Sequence, residues 1–304
     1  MARFAVLTSG GDAPGMNAVI YGVHDEATAK HAEIVGIPEG FKGLASGVRI
    51  ELADRVVSPA ILSQAGTILG TSRQADLRLG HVVADCVASL SRLGIDGLVV
   101  IGGAGSLRGV ERLRVSSKVP IAFVPATIDN DIEGSEETIG FDSAVNYGVA
   151  AVDSLRVTAE SLLHRAFLVE VLGANCGRIA EAIAAATPID VLIVPERPLA
   201  QEEVARRMRE ALNTRYAIAV MTEGCGEAGA VARELGEIMG ARVRPTVLGH
   251  SQRGARPTAR DRRLGLACGR SAVSALLAGT SGDVVVRRGA PTLRPVGSPG
   301  TQVP

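Results

Sequence analysis

Aromatic residues make up only 3% of this chain, and tryptophan is absent. Neither sign of charge dominates, with 32 Lys and Arg against 32 Asp and Glu. No global field therefore recruits nucleic acid or an anionic membrane surface, although a local basic cluster remains able to hold a phosphorylated metabolite. No apolar run approaches the length of a membrane span. The N-terminus opens directly on a strand pattern, without the charged and apolar regions of a signal peptide. The four cysteines, Cys86, Cys176, Cys225 and Cys268, are widely spaced, with no CxxC pair and no histidine at zinc-ligand spacing. They read as free thiols in a reducing compartment, and the expected location is the cytoplasm. No solenoid-type repeat is present.

What is abundant is Ala, Val, Leu and Gly, over 304 residues, enough for one large or two medium domains with a buried core. Strand patterns are expected at 3–8, 33–37, 97–101, 119–125, 167–171, 191–194, 217–221 and 243–248. Helical patterns between them include 16–30, 82–93, 141–163, 201–212 and 259–278. This alternation argues for mostly parallel sheets with crossover helices. The segment 289–304, made of Pro, Gly and polar residues, reads as disordered or loosely docked.

Three strand ends are candidates for chemistry. The apolar run from Val119 empties into Thr127-Ile128-Asp129-Asn130-Asp131. Ligands of open α/β sheets bind at the C-terminal ends of strands. If the strand continues to Asp131, Asp129 and Asp131 point the same way, so that one takes a proton from a hydroxyl and the other holds a metal. The alternative is a polar turn with an Asx cap. The other two strand ends are Ser9-Gly10-Gly11-Asp12 and Gly102-Gly103-Ala104-Gly105-Ser106. Each is a glycine-rich loop opening a helix, where backbone N–H groups and the helix N-terminus favour phosphate.

On these three motifs the chain resembles the bacterial-type ATP-dependent 6-phosphofructokinase family, from residue 3 to about residue 286. The resemblance implies an α/β phosphofructokinase fold of two Rossmann-like three-layer lobes. It places a nucleotide-binding lobe at 1–139 plus 252–304 and a smaller sugar-phosphate-binding lobe at 140–251. Family members usually continue with a further helix. The implied activity is phosphoryl transfer from ATP, with Mg²⁺, to the 1-hydroxyl of fructose 6-phosphate.

Residue by residue, Asp129 matches the catalytic base, and Thr127 matches the hydroxyl that contacts the transferring group. Arg73, in Gly70-Thr71-Ser72-Arg73, matches the arginine that bridges the two substrates. Asp131 matches a carboxylate arranging metal and substrate. His250 and Arg253, in Leu248-Gly249-His250-Ser251-Gln252-Arg253-Gly254, match the grip on the 6-phosphate. Arg165 and Arg244 match arginines that reach the site from a neighbouring subunit, which implies a homodimer or homotetramer. Glu223 matches the acceptor of sugar hydroxyls, and Leu172-Gly173 stands against the sugar. Gly11, Gly102, Gly103, Gly105, Ser106, Arg73, Arg78 and Phe41 fall at nucleotide contacts, Phe41 being equally readable as a core aromatic.

The chain departs from the family pattern at Ala104, where an acid that binds Mg²⁺ is usual. A methyl group cannot coordinate a cation that demands oxygen ligands, so turnover is expected to be reduced, with water and Asp131 as partial substitutes. Ala174 replaces an arginine beside the sugar. Gly105 and Ala126 lack the Asp and Lys of pyrophosphate-dependent relatives, which favours ATP. At the family's effector site Tyr21, Asp25 and Thr214 replace basic residues while Arg55, Arg156 and Glu196 remain. That site is expected to be weakened, an expectation that tight ADP binding away from the active site would overturn. The alternatives are an inactive sugar-phosphate-binding regulatory paralogue and a kinase of another phosphorylated ketose. A dinucleotide oxidoreductase lacks its acid after the first glycine loop and does not explain Thr-Ile-Asp-Asn-Asp.

Overall fold

The computed structural model describes residues 1–53, 56–72, 77–161 and 164–296. The chain divides into two compact units, Met1–Asp142 with Arg256–Pro304, and Ser143–Ala255.

The first unit is organised by strands that read as continuous apolar runs. Its elements are β1 (Arg3–Ser9), α1 (Met16–Ala29), β2 (Glu33–Ile37), α2 (Gly40–Ser46), β3 (Ile50–Glu51), α3 (Gly80–Arg92), β4 (Gly97–Gly102), α4 (Ala104–Ser116), β5 (Ile121–Thr127) and β6 (Ile139–Gly140). After the second unit come α9 (Ala259–Leu277), β11 (Gly282–Arg287) and β12 (Ala290–Pro295). The sheet order is β12-β11-β5-β4-β1-β2-β3, with β6 paired to β5. All pairings are parallel except β11–β12 and β2–β3 at the two edges. Leu98, Val99, Val100 and Ile101 of β4 are all fully buried, as expected of a parallel strand covered on both faces. One side packs α2, α3 and α4 into a core of Phe41, Leu44, Cys86, Leu90, Leu107 and Leu113 with alternate strand residues.

The second unit contains α5 (Phe141–Ser161, entering from the first unit), β7 (Ala166–Val171), α6 (Arg178–Ala186), β8 (Val191–Ile193), α7 (Gln201–Thr214), β9 (Ala217–Thr222), α8 (Ala228–Met239) and β10 (Val243–Val247). Its four strands run in the order β10-β7-β9-β8, all parallel. Helices α7 and α8 close one face over Val204, Met208, Leu235 and Met239. Among the described residues no helix is long and apolar enough to cross a membrane. All four cysteines are free thiols. Burial pushes the Cys86 and Cys268 thiols up to about 12, which leaves them unreactive.

The expectation of a loose C-terminal segment is overturned as far as residue 296. Strand β12 pairs antiparallel with β11 from Gly282↔Pro295 to Arg287↔Ala290. Arg294 is buried, and its Nη2 lies 2.9 Å from Asp283 Oδ2. On the other side Arg114 Nη1 lies 2.9 Å from Asp283 Oδ1. Arg114 also donates to the carbonyls of Gly282 and Ile121. A buried charge is tolerated only when paired and hydrogen-bonded, and this triad ties the last strand to α4 and β5.

Candidate active site

In the first unit three strand ends line up because β1, β4 and β5 are adjacent and parallel. Strand β4 ends at Gly102, Gly103 is the N-cap of α4, and Ala104, Gly105 and Ser106 form that helix's first turn. Its first turn has no acidic residue and no side-chain cap, so its N–H groups face outward without a protein acceptor from that source. A Cβ on Gly103 would stand 3.3 Å from Thr127 Cβ, tighter than ordinary contact. Glycine at 103 therefore lets the α4 entrance close directly on the end of β5. Ser106 is buried, and among the described residues its hydroxyl has no hydrogen-bond partner.

The end of β5 differs from a straight continuation. The strand stops at Thr127, and Asn130 takes a left-handed φ of 54°, which Asn tolerates better than most residues. Asp129 and Asp131 therefore do not share one face of a strand, and the expectation that they point the same way is corrected. Instead the Asp129 N–H donates to Thr127 Oγ1 at 3.2 Å, a polar turn as in the alternative weighed, but with a threonine hydroxyl rather than an Asx side chain as the acceptor. The Thr127 hydroxyl stands at 3.5 Å from Asp129 Oδ2, a long contact. Asp129 is partly exposed and Asp131 exposed. Thr138 Oγ1 donates to the Thr127 carbonyl at 2.6 Å and fixes the strand end from below.

Beside β1, the segment Thr67–Thr71 is fastened to the first glycine loop. Thr8 Oγ1 donates to the Gly70 carbonyl at 2.7 Å, and Thr71 Oγ1 donates to the Gly10 carbonyl at 3.0 Å. Gly11 follows in that loop. Arg73 lies outside the described residues, as does Arg55. Arg78 is exposed. Phe41 is 4% exposed within the core of α2, α3 and α4, which is the core-aromatic reading.

In the second unit, the ends of β7 and β9 come together although about fifty residues separate them in sequence. Glu223 follows β9 directly, and its Oε1 accepts the N–H of Gly173 at 3.2 Å and of Ala174 at 2.8 Å. Gly173 has φ 145°, a backbone state open to glycine. A 3₁₀ turn at Gly249–Gln252 carries His250, with Arg253 as its C-cap. Sequence reasoning singled out His250 and Arg253 but passed over Gln252, which is fully buried. Gln252 Oε1 accepts the Leu172 N–H at 2.7 Å, and its Nε2 donates to the Ala144 carbonyl at 3.3 Å. It therefore sets the turn against Leu172 and Gly173. The polar neighbours Ser251 and Arg253 gave no sign of this, but an amide inside a short glycine-bounded motif was the available signal.

Arg165 and Arg244 are not brought to this end. Arg165 precedes β7, and Arg244 is opposite Phe167 at the start of β10. Along strands rising ~3.3 Å per residue, that is on the order of 20 Å from Gly173. At the expected effector positions, Asp25 pairs with Arg270 at 2.8 Å, and Asp25, Tyr21 and His24 line a hollow of about 350 Å³. Arg156 is committed to Asp153, Thr187 and the Pro188 carbonyl. The Gly177 N–H holds the Glu196 carboxyl below the usual range, and Thr214 Oγ1 donates to the Ala211 carbonyl.

Parallel strands that end in glycine-rich helix entrances, next to a hydroxyl–carboxylate turn, define a doubly wound α/β protein of the phosphate-handling kind. The profile of the family described as Phosphofructokinase matches residues 3–276, and the chain belongs to that family. It is 41% identical over 289 residues to the ATP-dependent 6-phosphofructokinase 1 of Thermus thermophilus, covering 94% of this chain and 89% of that one. It is 40% identical over 291 residues to the ATP-dependent 6-phosphofructokinase of Thermotoga petrophila, covering 95% and 91%. The crystal structure of Pichia pastoris phosphofructokinase superposes with a TM-score of 0.88 at 30% identity, over 97% of this chain. This chain spans 35% of that longer one.

Proposed function

We propose that this chain is an ATP-dependent 6-phosphofructokinase, transferring the γ-phosphoryl of ATP to the 1-hydroxyl of fructose 6-phosphate in glycolysis. The observation that carries the reading is the turn in which Thr127 Oγ1 fixes the Asp129 backbone, closed against the Gly103 entrance of α4. Asp129 is the base for the sugar hydroxyl, and Thr127 contacts the migrating group. The N-terminus of α4, with Gly103, Gly105 and Ser106, and the Gly11 loop receive phosphate oxygens. The Ser106 hydroxyl, without a hydrogen-bond partner among the described residues, has the donor capacity a phosphate would use. Phosphoryl transfer needs little covalent help from the protein, so positioning and charge dominate.

In the second unit, Glu223, Leu172 and Gly173 face the sugar, with His250 and Arg253 on its phosphate. Glu223 now accepts two backbone N–H groups through one oxygen. Its second oxygen keeps acceptor capacity for sugar hydroxyls. Arg165 and Arg244, on the order of 20 Å from that pocket, suit a site completed by a second copy, so the working form is a homodimer or homotetramer in the cytoplasm.

Mg²⁺ is implied by the chemistry. Asp131 is a hard oxygen donor at the β5 turn, and a cation held mostly by nucleotide phosphates and water needs only one or two carboxylates. The turn fits such an ion in part, since Ala104 offers a methyl at the helix entrance. The bound ion would neutralise charge on the β- and γ-phosphates. The Ala104 methyl also supports the second reading, a catalytically weak or inactive regulatory paralogue. Incubation with ATP, Mg²⁺ and fructose 6-phosphate, followed by phosphorus NMR, separates the two. The enzyme yields a bisphosphate, with pyrophosphate inert as donor. A paralogue yields none, while fructose 6-phosphate still raises its Tm.

A further inference from the structure

Three guanidinium groups gather at the outer end of the second unit's sheet. Strand β10 is the edge strand, paired in parallel with β7 through Val243↔Ala166 and Arg244↔Phe167. One step back along both strands, Arg242 stands level with Arg165. On extended backbone, residues two apart share a face, so Arg242 and Arg244 project to one side. Arg244 Nη1 also folds back to donate to the Arg242 carbonyl at 3.3 Å. Burial lowers the Arg244 pKa first, and the charges of Arg165 and Arg242 lower it further, which agrees with three cations in one field.

Among the described residues, none of these three arginines pairs with a carboxylate, whereas Arg114, Arg156, Arg206, Arg215, Arg260 and Arg270 all do. Like charges held together without a counter-ion cost stability, and an anion relieves that cost. The edge is also closed to strand addition at Pro245, which has no N–H to donate. What this surface is built to take is therefore an anion rather than a β-strand.

We propose that Arg242 is a third phosphate-binding residue beside Arg165 and Arg244, and that the three together receive the phosphomonoester dianion of the sugar substrate. This rests on the proposed kinase reading, in which Arg165 and Arg244 serve that phosphate. Arg242 adds a third guanidinium fork, on the exposed rim. A third cation raises affinity for a dianion more than for a monoanion, and makes that affinity more sensitive to salt.

The test is steady-state kinetics of the full chain with Arg242→Ala and Arg242→Lys, and with Arg233→Ala as an exposed control on α8. The Ala variant should raise KM for fructose 6-phosphate about tenfold, with kcat and KM for ATP little changed. The Lys variant should recover part of the loss, and the Ala variant's KM should rise less steeply with added salt. Arg233→Ala should behave as the parent. A KM within twofold of the parent overturns the proposal. So does a raised KM accompanied by a smaller assembly on gel filtration, which would make Arg242 an interface residue. Should the parent show no turnover, the kinase reading falls. The proposal is then decided by calorimetry of fructose 6-phosphate against fructose, with weaker sugar-phosphate binding in the Ala variant supporting it and equal or no binding overturning it.

Discussion

Ala104→Asp is the substitution for which structure and chemistry make the most separable claims. Residue 104 is the first residue of α4, partly exposed, in a turn with no acid and no side-chain cap. A carboxylate there meets the positive end of the helix dipole, worth about 0.3–1 kcal/mol. In a unit of this size that raises Tm by up to about 4 °C, so the variant folds. If the lost acid costs the reaction about 2.7–4 kcal/mol of charge stabilisation, restoring it raises kcat by roughly 10²–10³. The residues proposed to bind the sugar and its phosphate, Glu223, Leu172, Gly173, His250 and Arg253, lie in the other unit, so KM for fructose 6-phosphate should hold. The assay is kcat as a function of Mg²⁺ concentration, with half-activation expected at lower Mg²⁺ in the variant. A stable Ala104→Asp protein whose kcat stays within about threefold of the parent refutes the account of Ala104.

Two further outcomes follow from buried polar contacts. Asp283→Ala strands two guanidiniums whose side chains are 6% and 4% exposed. It should lower stability by about 3–5 kcal/mol, read as a fall in Tm of roughly 6–20 °C; a fall under about 2 °C would mean that β12 is not held by this triad. Gln252→Ala leaves the Leu172 N–H and the Ala144 carbonyl without their partner. That should cost about 2–4 kcal/mol and raise KM for fructose 6-phosphate with KM for ATP unchanged, and an unaltered sugar KM would remove Gln252 from the positioning role.

The alternating pattern of apolar runs and amphipathic segments made the parallel sheets legible, since buried parallel strands such as Leu98–Ile101 have no polar face to disguise them. The helix entrances at Met16 and Ala104 were equally legible from their glycines. Three features were not. The docking of β12 depends on Asp283, Arg114 and Arg294 meeting across the fold, and a local reading of Ala-Pro-Thr-Leu-Arg-Pro sees only prolines and a surface arginine. The turn after Thr127 depends on Asn130 leaving extended geometry, which a two-residue alternation from Asp129 to Asp131 cannot register. The role of Gln252 is set by a strand end eighty residues earlier in the chain. For β12 and Gln252 the deciding contact is non-local, whereas the pattern is local; at Thr127 the contact spans only two residues, and the left-handed Asn130 is what breaks the alternation.

The most direct test of the central claim is a coupled assay with ATP, Mg²⁺ and fructose 6-phosphate, comparing the parent with Asp129→Asn. The Asn side chain keeps the shape of the turn and its backbone hydrogen bond from residue 129 to Thr127 Oγ1 but cannot accept the proton. The account predicts turnover in the parent, a loss of about 10²–10⁴ in kcat in the variant, and unchanged binding of fructose 6-phosphate. Equal turnover in the two proteins, or none in the parent, would contradict it.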